Sequence, residues 1–91
     1  MLFRSANLSE AKLNGANLSN TNLREANLSK AVLMGANLNG ADLSGAELRK
    51  ANLYQANLTG AIFKGANMEM AKLWEADLTG VNLADLRFAL R

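Results

Sequence analysis

The chain has 91 residues, ten Lys and Arg against eight Asp and Glu, and neither Cys, His nor Pro. That length bounds it to one small domain with a limited core. Lacking Cys and His, it can form no disulfide or thiolate metal site and has no histidine general base. A net charge of +2 is too weak for a strong electrostatic footprint on nucleic acid.

From the first residue the sequence is written in five-residue words. Their centres fall at Phe3, Leu8, Leu13 and onward to Leu83 and Phe88, and every centre is Leu, Phe or Met. Ala stands two residues before 14 of these 18 centres, and Asn or Asp stands one before 11 of them. All seven glycines lie two residues after a centre. A fixed period of this kind decides the architecture ahead of local propensity.

Period five suits neither regular element. On a helix, successive centres would land about 140° apart and spiral around the rod. On a straight strand they would alternate between faces. Ala and centre are nevertheless two apart, which is strand spacing on one face. Both conditions hold if the chain runs extended for three residues and then turns a corner where the glycines cluster. Each word is then one side of a polygonal coil, with two side chains inward and three outward. Such coils stack at roughly 4.8 Å and pair their backbone amides with the coils on either side. The narrow core explains the monotony of Ala, since larger residues there would overpack it.

The tandem Ala-(Asn/Asp)-Leu-x-x word, clearest at Gly35–Ala46, resembles the pentapeptide-repeat family over nearly the whole chain. The resemblance implies an all-β fold: a right-handed, four-sided parallel β-helix, a repeat solenoid of about 20 residues per coil. Four sides would give this chain between four and five coils.

Taken in order, the first residues, Met1-Leu2-Phe3, fall straight into phase with no separate N-terminal cap, as they would in one module of a longer array. They also lack the apolar core of a signal peptide, which makes the cytoplasm the default compartment. No apolar run reaches the length of a membrane span. Thr21 is the one polar residue at an Ala position, with its hydroxyl expected on local backbone and its methyl inward.

Residues 1–82 are expected to form the β-helix and 83–91 a C-terminal cap or last irregular repeat. There Val81 and Leu86 replace Ala, and the segment reads as a short helix capped by Asn82, with Asp85 in a capping box. Leu83, Leu86 and Leu90 would share its apolar face across the last coil. Leu83, Leu86, Phe88 and Leu90 are therefore the candidate cap or dimer contacts, and pairing of two such ends would give a symmetric homodimer. The alternative is that repeats simply continue through Phe88.

Residues 20 apart should stack. Met34, Tyr54 and Trp74 then form one outward column holding the only Tyr and the only Trp, and are the candidate partner surface. The neighbouring face, Asn17, Asn37, Asn57 and Asp77 with Ser19, Asn39, Thr59 and Thr79, reads as a structural amide ladder. Arg4, Arg24 and Lys64 share a third column beside several Glu, and Glu10–Lys30 and Arg49–Glu69 should pair across coils at little energetic value. Nucleic-acid binding is disfavoured.

No residue is assigned to catalysis, a cofactor or a metal. Glu75 and Asp77 are close carboxylates without an evident cleft, and serines have no histidine to activate them. The leading expectation is a non-enzymatic structural or protein-interaction module with an unknown protein partner. The family resemblance supplies the alternative, a DNA mimic acting on type II topoisomerases. That mechanism needs a strongly acidic rod, and a pI near 9.3 opposes it.

Overall fold

The computed structural model describes residues 1–91. Parallel bridges join residues 20 apart, from Leu2↔Asn22 to Asn57↔Asp77. With five residues per word, 20 per coil means four sides. The first side is centred on Phe3, Leu23, Leu43 and Phe63, and the second on Leu8, Leu28, Leu48 and Met68. The third is centred on Leu13, Leu33, Leu53 and Leu73, and the fourth on Leu18, Leu38, Leu58 and Leu78.

Each corner is a tight turn. The carbonyl of a centre accepts from the N–H three residues on, as Leu38 O does from Ala41 N at 3.0 Å. Its fourth-position bond and a positive φ at the last residue of the word match a type II turn. Gly40 shows why glycine is favoured, with φ of 69°, and a Cβ there would have to displace the Asn20 amide oxygen. The backbone geometry is nonetheless not reserved for glycine. Ser5, Glu10, Asn20, Glu25, Lys30, Lys50, Gln55, Met70 and Glu75 adopt the same left-handed conformation at φ of 55–62°.

The structure explains the Asn/Asp preference in a way the amide-ladder expectation did not. In all 11 words that carry Asn or Asp, the side-chain Oδ1 accepts the N–H two residues later, at 3.0–3.1 Å. The amides therefore brace their own corner as Asx turns and are not bonded to one another up the column. A nearby hydroxyl often shares the same oxygen, as Ser29 Oγ does on Asn27 at 2.7 Å.

Between coils the ladder is continuous. Leu38 N donates to Asn57 O at 2.8 Å, Gly40 N to Thr59 O at 2.9 Å, and Asn57 N to Ala36 O at 2.9 Å. The sides enclose a core of Leu and Ala running from Leu18 to Leu73, with Phe63 and Met68 filling two centres and Leu86 closing its end. Thr21 is buried in it, its hydroxyl donating to Ser19 O at 3.4 Å.

At the end of the chain Asn82 caps a short helical turn as expected, but the turn is shorter than the expected helix. Leu83–Leu86 make one 3-10 turn, with Asn82 Oδ1 accepting from Ala84 N at 3.1 Å. The chain then returns to the stack, and Leu90 bridges Lys72 after 18 residues where 20 is the rule. Leu83, Leu86 and Leu90 consequently share no helical face. Leu86 alone enters the core, while Leu83, Phe88 and Leu90 stay 52%, 72% and 37% exposed. One turn is too short to present three leucines on a stripe, and Leu90 is held extended by its ladder bonds to Ala71 O and Leu73 N, both 2.7 Å.

Two stability outcomes follow from this packing. Leu38→Ala should cost about 2–5 kcal/mol, because Leu38 is fully enclosed between Leu18 and Leu58; a wild-type denaturant midpoint would contradict the inward assignment. Glu47 occupies an Asn position, and its Oε1 is buried with no partner. Glu47→Asn would place an acceptor against Arg49 N–H and remove the orphan, so it should stabilise by about 0.5–1.5 kcal/mol in urea unfolding.

Candidate interaction surface

The third side carries the predicted column. The bridges Val32↔Asn52 and Asn52↔Lys72 hold its words in register, so Met34, Tyr54 and Trp74 occupy the same outward position on successive coils. Coil spacing of roughly 4.8 Å brings them close along the axis. Met34 is 37% and Trp74 46% exposed, and Tyr54 is half-buried between them.

Beside this column the sequence reading missed a polar clamp. Tyr54 OH donates to Glu75 Oε2 at 3.0 Å and Gln55 Nε2 donates to Glu75 Oε1 at 3.1 Å. Both carboxylate oxygens are thus held by side chains one coil away, and Glu75 makes no ion pair. The hydrogen bond to Glu75, and then its negative charge, push the Tyr54 phenol above its ordinary 10.0. The spacing of 20 and 21 residues was the available signal, since it stacks Gln55 and Tyr54 beneath Glu75.

Glu75 and its sequence neighbour Asp77 do not form a reactive pair. Asp77 turns to Thr79, whose hydroxyl at 2.6 Å and backbone N–H at 3.0 Å hold its carboxyl below the usual range. Asp42 is lowered in the same manner by the Ser44 hydroxyl at 2.6 Å, with Arg24 contributing charge.

The basic column is largely matched by acids. Arg4 pairs with Glu25 at 3.4 Å, Arg24 with Asp42 at 3.5 Å, and Arg49 with Glu69 at 3.2 Å. The last was expected; the expected Glu10–Lys30 pair does not form. These are exposed pairs of small energetic value, and their effect is to interleave the two signs of charge.

The rod is not wholly convex. Where the 3-10 turn bows away from the last coil, a cavity of about 330 Å³ opens between Gly65–Met68 and Ala84–Phe88. Nothing in the sequence marked it, because it arises from the two residues missing from the final circuit.

Fold and surface together define a four-sided repeat solenoid. The pentapeptide repeats model matches in 8 copies across residues 2–40, 28–65 and 36–74, and the chain belongs to that family, whose solved members are right-handed quadrilateral β-helices. Among solved structures it is similar to a pentapeptide repeat protein (Rfr23) from the cyanobacterium Cyanothece 51142, with 42% identity, a TM-score of 0.67, and coverage of 92% of this chain and 52% of that one. A pentapeptide repeat protein of the Arabidopsis thaliana thylakoid lumen is 30% identical, with a TM-score of 0.78 and coverage of 91% and 59%. One from Nostoc Pcc 7120 is 35% identical, with a TM-score of 0.59 and coverage of 88% and 62%. The chain thus spans between about half and two thirds of these neighbours. No curated protein matches the sequence.

The Tyr54 clamp gives a direct titration. The only tyrosine should ionise above 10.0, followed by its ultraviolet absorbance, and Glu75→Ala should bring the midpoint back toward that value. An ordinary midpoint in the parent, or no response to Glu75→Ala, would show that the clamp is absent in solution.

Proposed function

We propose that the chain is a non-enzymatic protein-interaction module, and that the Met34–Tyr54–Trp74 column is its partner surface. The observation carrying this reading is the registered aromatic column with Tyr54 fixed by Glu75. A side chain already held in place loses less freedom on binding, so the scaffold lowers the ordering cost of association. Trp and Tyr are also the residues most often found at the energetic centres of interfaces.

The exposed Leu83, Phe88 and Leu90 support a second reading, a homodimer through the C-terminal end. Leu86 is excluded from that contact because it lies in the core. The DNA-mimic alternative needs an extended acidic surface, and the interleaved Arg–Glu and Arg–Asp pairs favour it no more than the net charge does.

Affinity capture from the native extract should recover a partner with the parent chain and lose it with the Tyr54→Ser, Trp74→Ser double variant. Equal recovery by a double variant of unchanged stability would remove the column from the interface. Light scattering across a concentration series checks the dimer, which Phe88→Ser should weaken.

A further inference from the structure

We propose that the slot between Gly65–Met68 and Ala84–Phe88 binds an extended peptide strand, which adds its backbone to the last coil. This site is separate from the aromatic column and rests on a different observation. On the coil below, the equivalent corner is fully paired: Gly45 N donates to Lys64 O at 2.8 Å, Leu48 N to Asn67 O at 2.8 Å, and Ala46 O accepts from Asn67 N at 2.9 Å. One coil further on, Gly65 N, Met68 N and Ala66 O have no backbone partner. By register those partners would be Ala84 and Arg87. The 3-10 turn, closed by Asp85 N to Asn82 O at 3.0 Å, carries both away.

What remains is a donor, an acceptor and a donor in ladder spacing, on residues that line a cavity of about 330 Å³. That volume lies within the range of ligand sites, about 300–1,000 Å³. Its polar groups match an extended main chain: two peptide carbonyls for Gly65 and Met68, and one peptide N–H for Ala66, as in strand addition to an open edge. Ala84 and Phe88 supply apolar wall for one small or apolar side chain of the occupant. A simple anion fits less well, because the Asp85 carboxylate lines the same space and Arg87 already lies over the Phe88 ring at 5.5 Å. The slot is lined by residues 65–68, 84, 85, 87 and 88.

The probe is a blocked synthetic peptide with the sequence of residues 41–51, the words that run beneath this corner on the preceding coils. Amide hydrogen exchange is read residue by residue on the full chain. Without peptide, Gly65 and Met68 should exchange faster than the ladder-bonded Gly45 and Leu48. Saturating peptide should slow Gly65 and Met68 by about tenfold or more, as new ladder bonds require. N-methylation of the peptide at the amide facing Ala66 should abolish the effect. Phe88→Ala, at an exposed position, should weaken binding severalfold when compared with the parent at one fixed protein concentration.

Four outcomes overturn the proposal. The peptide fails to protect these amides, or inorganic phosphate protects them equally, which makes the slot an anion site. Protection in the free protein at all concentrations would mean that residues 83–88 fill the slot themselves. Protection that grows with protein concentration alone would assign the slot to a second copy.

Discussion

The whole structure rests on one hydrogen bond repeated at every corner, from the N–H that follows the turn to the carbonyl of the preceding centre. It holds at all 16 centres from Phe3 to Leu78, at 2.9–3.3 Å. Without it the words would run on as a strand, and every second Leu would face solvent. With it, all the centres point inward, and the ladder between coils follows because each word begins its next side at the same height. The left-handed residue that the turn demands is costly for any side chain. Nine such residues without glycine show that stacking on neighbouring coils overrides local preference here.

That constraint explains which parts of the fold were legible. The inward pair, Ala and Leu, repeats because the core has one width, so the period and the facing of Leu38 or Ala41 could be read directly. Four-sidedness could not be derived from a period of five and came from the family resemblance. The bridges 20 residues apart then settled it. The Asn/Asp preference was visible as a pattern but its cause was not. An Asx turn and an amide ladder both demand a short polar side chain, and only coordinates separate a bond within the word from one between coils.

The end of the chain was hard to read for a different reason. Leu83 and Phe88 keep phase, so the sequence offers them as centres, yet Leu86 at an Ala position competes for the same interior. Leu86 enters the core, and the bulk it brings cannot sit where Ala sat without moving the flanking backbone. The 3-10 turn lies at that point. It shortens the circuit by two residues, expels Leu83 and Phe88, and leaves Gly65 and Met68 without their partners. The cap, the exposed apolar groups and the cavity thus all fall in the circuit where Leu86 stands at a small-residue position.

The candidate surface was only half legible, and the fold itself explains why. Inward positions are fixed by packing, and the Asn/Asp position is tuned by the corner it braces. The residue after each centre is bound by neither demand: on the third side it runs Asn14, Met34, Tyr54, Trp74, and on the second Ser9, Ser29, Arg49, Glu69. Stacking brings such residues together at a spacing of 20, so a surface can change wholesale while the coil stays intact. Family membership therefore carries the scaffold and leaves the partner open. The repeat is least regular in two places. Those places are the Tyr54–Gln55–Glu75 corner, where long side chains bond across coils, and the final circuit, where the ladder stops short.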